Sequence, residues 1–212
     1  MAHFQAAEQT FTPFAEAPSD LLPDGWRGTG SQPLEIDVGC HKGRFLVEMA
    51  RRYPFSNFLG VERQQQRVEK ARKKISQLGL GNAAVVHGDG LEAIGRLPDA
   101  CADYVHVLFP DPWPKRRHKI RRMVRTEFLR EVLRILKCRG ILRLVTDDPD
   151  YARAMEFHAA SLAEFQCAIN DEREYPPTQF QIKFLSDSRP VYGLLLRRVR
   201  ANAERDFGIC SS

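Results

Sequence analysis

The chain has little of what would commit it to a membrane, a disulfide scaffold or a structural metal. No apolar stretch approaches the roughly 18 residues needed to span a bilayer, and the first residues show no basic start leading into an apolar core. No membrane contact and a cytoplasmic location are expected. The cysteines Cys40, Cys101, Cys138, Cys167 and Cys210 stand singly, with no C-x-x-C pair and no histidine at ligand spacing beside them. That spacing argues against a disulfide framework and against structural zinc, so no metal site is expected. Acids are missing from one stretch altogether: residues 112 to 126 hold no Asp or Glu.

What fills that stretch is basic. Lys115, Arg116, Arg117, Lys119, Arg121, Arg122 and Arg125 are seven cations, more than the formal net charge of +5 for the whole chain, so the remainder is net acidic. Positive charge is therefore local, which points to a polyanionic partner such as nucleic acid. Just before it, Pro110, Pro112 and Pro114 fix alternate φ angles and remove three backbone donors. Residues 109 to 125 are thus expected to form a stiff loop, neither helix interior nor central strand. Asp111 is held between two of the prolines, at the end of the apolar run Tyr104 to Phe109. The carboxyl end of a buried strand is where open α/β sheets bind ligands.

At 212 residues the chain is long enough for one large domain with its own core. Residues 1 to 33, rich in proline and glycine without a sustained period, are expected to be a partly disordered arm, ordered where Phe11, Phe14 or Trp26 docks. Residues 34 to 200 are expected to form the domain and 201 to 212 a tail. Apolar runs at 34–38, 57–62, 83–87, 101–109 and 141–146 predict five strands. Helical spacing predicts helices through Phe45 to Tyr53, Val68 to Leu78, Phe128 to Leu136 with Gly140 as its stop, and from Pro149 to about Ala163. Phe165 to Ile169 and Val191 to Val199 read as two extended runs with no helix between them. Strands alternating with helices require parallel pairing and right-handed crossovers, so the expected fold class is α/β: a doubly wound, mostly parallel sheet with an antiparallel edge pair.

Asp37-Val-Gly-Cys-His-Lys-Gly43 lies between a strand and a helix, where nucleotide-binding turns sit. The dinucleotide pattern G-x-G-x-x-G would need glycine at 39, 41 and 44, and only Gly39 is present. The methyltransferase pattern, acid-x-G-x-G-x-G, fails only at His41. S-adenosyl-L-methionine is therefore the better match to Asp37, Gly39 and Gly43, with glycines that let the backbone approach it closely. Glu62 at the second strand's end is suited to accept from both ribose hydroxyls, and Asp89 after the third could meet the adenine amino group. Asp37, Glu62, Asp89, Asp111 and Asp147 all fall at the carboxyl ends of successive strands, on one edge of the sheet. His106, inside a strand, is expected to be a hydrogen-bonded core histidine, and His118, in the basic loop, a phosphate contact.

Taken together, these residues resemble the bacterial tRNA (guanine-N7)-methyltransferases over about residues 34 to 199. The most specific match is Phe109-Pro-Asp-Pro-Trp-Pro-Lys-Arg-Arg-His-Lys-Ile-Arg-Arg122. The resemblance implies a Rossmann-like class I methyltransferase fold and a tRNA partner, with guanosine 46 of the variable loop as target and a monomer or homodimer as the working unit. It implies Asp37, Glu62, Asp89 and Asp111 as methyl-donor ligands and Asp111 also as the catalytic acid. The tRNA contacts implied are Lys115, the run Arg117, His118, Lys119, Arg121 and Arg122, then Asp147, Thr178 and Gln181. Three features depart from the family: His41 stands for a glycine, Gln181 for a glutamate, and Leu185 to Pro190 for a glycine-rich segment. Other classes remain. A methyltransferase of small molecules or proteins would not need the basic loop, a binding-only RNA relative is suggested by His41 and Gln181, and a nicotinamide oxidoreductase lacks its glycines.

Overall fold

A computed structural model describes residues 21–26, 32–168 and 173–200. Phe11, Phe14, most of the expected arm and the tail 201–212 lie outside the described residues. Within 21–26, Leu21 and Leu22 are buried in the main core and Trp26 packs against it.

The elements in chain order are β1 (Leu34–Val38), α1 (Arg44–Arg52), β2 (Asn57–Glu62), α2 (Gln65–Gln77), β3 (Ala83–His87), α3 (Gly90–Gly95), β4 (Ala102–Leu108), α4 (Thr126–Ile135), β5 (Leu136–Thr146), α5 (Pro149–Ala160), β6 (Phe165–Cys167), α6 (Gln179–Ser186) and β7 (Tyr192–Arg198). The sheet order is β3-β2-β1-β4-β5-β7-β6. The first five strands pair in parallel, and β7 runs antiparallel to both β5 and β6. The doubly wound sheet with an antiparallel edge pair is thus present. β1 and β2 are buried along their whole length, as strands covered on both faces must be. One core layer gathers Ile94, Phe128, Leu129 and Tyr151, and the other Phe45, Leu46, Met49, Phe58 and Val68.

Four local expectations are corrected. Gly140 does not stop α4; the helix ends at Ile135, and β5 begins at once and runs through Gly140. A side chain at 140 would meet the Asp103 carbonyl at 3.2 Å and the Lys137 carbonyl at 2.9 Å. The glycine therefore serves close backbone approach at an irregularity, where Arg139 takes φ 68° and the β4–β5 register shifts. The segment between β6 and β7 does contain a helix, α6, started by Thr178, whose hydroxyl accepts from the Gln181 N–H at 3.0 Å. The basic half of the expected loop coils into a 3-10 helix over Arg116–Arg121, past the last proline. The helix after β5 also closes earlier than expected, at Ala160.

A buried polar cluster fastens residues 173–178 to the sheet. Glu35, 1% exposed, accepts from His106 Nε2 at 3.1 Å and pairs with Arg173. Burial pushes the His106 pKa down, so the ring is neutral and donates through Nε2, the expected hydrogen-bonded core histidine. Arg173 lies between the rings of Tyr53 and Tyr104, at 4.1 and 4.5 Å from their centroids. Arg143 covers Tyr175 at 4.2 Å. Arg173→Met leaves Glu35 with one partner fewer in a dry site, a loss on the order of 3 kcal/mol. Chemical denaturation should show a lower midpoint and faster proteolysis between α5 and α6; an unchanged midpoint would discard the fastening role.

Candidate active site at the carboxyl edge of the sheet

β1 is flanked by β2 on one side and β4 on the other, so the chain reverses its direction of winding between β1 and β4. The loops after the parallel strands diverge there and leave a crevice. Asp37 and Glu62 lie at the ends of β1 and β2, and Asp89, Asp111 and Asp147 follow β3, β4 and β5, all on this edge.

The turn after β1 is shaped by its glycines. Gly39 is exposed, has φ 84° and would have open space around an added Cβ, while its N–H donates to the Val61 carbonyl at 2.8 Å. Gly43, at φ 67°, starts α1, and a Cβ there would sit 2.9 Å from that of Ala71. His41 occupies the middle glycine position at φ 53°, a conformation that costs a side-chain-bearing residue about 1 kcal/mol. Its N–H donates to Glu62 Oε2 at 3.0 Å. The Gln64 N–H donates to the other oxygen at 2.9 Å, so Glu62, 4% exposed, is held oriented at the turn. A carboxylate offers about four acceptor positions, so both oxygens can still receive hydroxyls. An open glycine turn beside a fixed acceptor fits a nucleoside.

Asp37 is 4% exposed, and burial raises its pKa to about 7 against the opposing charge of Arg143; Glu62 adds to the rise. Asp89 is exposed and caps α3, accepting from the Leu91 N–H at 3.0 Å. Asp111, 68% exposed, points to Arg63, with 3.3 Å between carboxylate and guanidinium. Phe109 and Trp113 on either side of its prolines take left-handed φ of 53° and 43°, backbone strain of the kind found at functional sites.

The basic run divides into an outer and an inner part. Lys115 and Arg117 are exposed, and Arg117 Nε lies 3.2 Å from His118. Arg121 is exposed over the Trp113 ring at 5.1 Å, while Lys119 is tied to Asp150 at 2.7 Å. Arg122, expected among the RNA contacts, is turned inward at 6% exposure. Its Nε donates to the Pro112 carbonyl at 2.8 Å, and its guanidinium rests over Tyr151 at 4.6 Å and beside Asp150 at 2.8 Å. It is the bolt that holds the Asp111 loop to α5, because a guanidinium can serve a carbonyl, a ring face and a carboxylate at once.

On the other side, α6 brings Phe180 and Phe184 against Phe109, at 6.2 and 5.4 Å between centroids, and Phe180 meets the His41 ring edge-on at 5.7 Å. Thr178 is buried and serves as the helix cap, and Gln181 is half-buried one turn later. Asp147, 14% exposed, is paired with Arg189 at 2.5 Å. Sequence reasoning missed Arg63 and Arg189. Arg63 adjoins Glu62 and could have been noticed; Arg189 sits in the segment that departs from the family. Among the described residues no cluster could hold a metal ion, and no helix is long and apolar enough to cross a membrane.

Residues 31–194 match a family described as "Putative methyltransferase". The tRNA (guanine-N(7)-)-methyltransferase of Lacticaseibacillus casei is 33% identical over 78% of this chain and 80% of its own. That of Rhodospirillum rubrum is 34% identical over 82% and 73%. The crystal structure of the aminoglycoside resistance methyltransferase NpmB1 shares the fold, with a TM-score of 0.55 and 22% identity over 79% of this chain and 87% of that one. The expected Rossmann-like class I fold is present.

Because the pKa of Asp37 is raised on folding, from 3.8 to about 7, the folded state holds the extra proton. Its stabilising effect is complete below about pH 4 and is lost as pH rises through about 7. Asp37→Asn should therefore raise the melting midpoint at pH 8, by up to about 4 kcal/mol of stability, and leave it little changed at pH 4. An equal effect at both pH values would contradict the desolvation of this carboxyl.

Proposed function

This chain belongs to the bacterial tRNA (guanine-N7)-methyltransferase family, and we propose that it transfers a methyl group from S-adenosyl-L-methionine to N7 of guanine in tRNA, at guanosine 46 of the variable loop. The observation that carries this reading is the proline-held Asp111, set beside the glycine turn and Glu62 with an exposed cationic face next to it. A small-molecule or protein substrate would have no use for that face.

When bound, S-adenosyl-L-methionine supplies an electrophilic methyl group on a sulfonium. Glu62 would receive the ribose hydroxyls, Gly39 would let the backbone close on the nucleoside, and Asp89 would face the adenine. Ionised Asp37 would attract the donor's positive charge, so donor binding and proton release from Asp37 are coupled. Guanine N7 exposes an in-plane lone pair and needs no base. Alignment and exclusion of water therefore carry most of the rate, and Asp111 would favour the positive charge that develops on the ring. Thr178, Gln181 and Asp147 would border the base, and residues 34–200 would form the methyltransferase domain.

Incubation with labelled donor and unmodified tRNA, followed by nucleoside analysis, should yield 7-methylguanosine. Replacing guanosine 46 by adenosine should abolish the product, and Asp111→Asn should lower kcat at least about tenfold without unfolding the chain. Tight tRNA binding with no methylation would favour the binding-only reading, and product from the adenosine-46 tRNA would refute the position.

The two neighbouring arginines should separate. Arg121→Ala should lower tRNA affinity and reduce the salt slope by roughly one, as one lost phosphate contact does. Arg122→Ala should leave the slope alone and lower thermal stability and kcat, by loosening the Asp111 loop. Equal salt slopes in wild type and Arg121→Ala would remove Arg121 from the interface.

A further inference from the structure

At the end of β5 a largely buried carboxylate, Asp147, is already engaged. Asp147 follows the last parallel strand, next to Phe109, whose N–H bonds to the Val145 carbonyl at 2.7 Å. The Arg189 guanidinium reaches it at 2.5 Å and lies over the Phe184 ring at 4.5 Å from its centroid. The Arg189 N–H donates to the Phe184 carbonyl at 2.8 Å, and Ser188 before it turns at φ 53°, so the side chain is aimed by its own backbone. Arg189 nevertheless stays 50% exposed. Gln181, one turn before Phe184 in α6, carries no charge and offers a single carbonyl acceptor.

We propose, resting on the guanine reading above, that Arg189 is a specificity-determining residue which, paired with Asp147, presents a donor beside an acceptor to the Watson–Crick edge of the target base. That edge of guanine runs acceptor, donor, donor: O6, N1–H and the 2-amino group. A guanidinium has five N–H donors and spends few of them on one carboxylate, so it can serve O6 while Asp147 accepts from N1–H. Adenine presents the reverse order, an amino group and a bare N1, and meets two mismatches. The rings of Phe109 and Phe180 supply an apolar surface on which the base can stack. Selection thereby moves from position 181 to the Asp147–Arg189 pair, and N7 is left free on the opposite edge.

The test uses full-length wild type, Arg189→Met and Arg189→Lys, with tRNA carrying guanosine or 2-aminopurine at the methylated position. 2-Aminopurine keeps N7 and the 2-amino group and lacks both O6 and the N1 proton. Wild type should prefer guanosine by at least about tenfold in kcat/KM, since a site built to bond a polar group rejects the analogue without it. Arg189→Met should lose about tenfold on guanosine and little on 2-aminopurine, so that the preference narrows about tenfold, to the part that Asp147 and the N1 proton maintain. Arg189→Lys keeps the charge opposite Asp147 without the planar fork and should fall between, which preserves the test if the Met variant folds poorly. An arginine that merely pins α6 would lower both substrates alike, and an unchanged preference in either variant overturns the proposal. Fluorescence anisotropy of the same RNAs should show the same discrimination in binding. A wild type that methylates neither RNA contradicts the guanine-N7 reading itself, and the anisotropy comparison then still decides whether Arg189 distinguishes the two bases.

Discussion

A parallel sheet covered on both faces leaves water access only at its strand ends. β1 and β2 are buried along every residue, so any group that must meet a ligand in water is confined to the edge where the strands finish. The switch in winding between β1 and β4 opens that edge, and the glycine turn, Glu62, the proline loop and the end of β5 are its rim. The chemistry of the site is thus a consequence of strand polarity before it is a matter of residue choice.

The rim is electrostatically balanced by pairing. Asp111 faces Arg63 and Asp147 faces Arg189, both with half-exposed guanidiniums, while Glu62 is satisfied by two backbone N–H groups. Exposed pairs of this kind contribute little to stability. They do keep neighbouring carboxylates from repelling one another across the crevice, and they leave arginines that a polyanion can engage. Asp37 is the exception, since it has burial in place of a close partner and therefore titrates near neutrality.

The alternation of strands and helices, the antiparallel edge and the loop carrying Asp111 were legible because each rests on local pattern: apolar runs, helical spacing, three prolines. His106 was legible as a core histidine because a strand interior offers little else. Gly140 misled, because a glycine after a helical run marks a stop and a close backbone approach equally well, and only the tertiary neighbour Asp103 decides between them. Helix α6 was hidden by its brevity and mixed face, although Thr178 with Gln181 three residues on has the spacing of a capping pair. Arg122 could not be told from Arg121 by charge; what separates them is the carbonyl of Pro112 and the ring of Tyr151, ten and 29 residues away along the chain.

The central position of β1 bears on how the chain emerges from the ribosome. β1, β2 and β3 can pair as soon as the first half is made, but the other edge of β1 waits for β4, which begins at Ala102. Until then an apolar strand presents open hydrogen-bonding groups, the usual starting point for association between nascent chains. Glu35 and Asp37 interrupt that strand with two carboxylates, which are buried in the finished sheet where β1 pairs with β4. The same acids that later fasten a segment and border the crevice therefore guard the half-made sheet, and the cost of desolvating Asp37 is the residue of that protection in the finished fold.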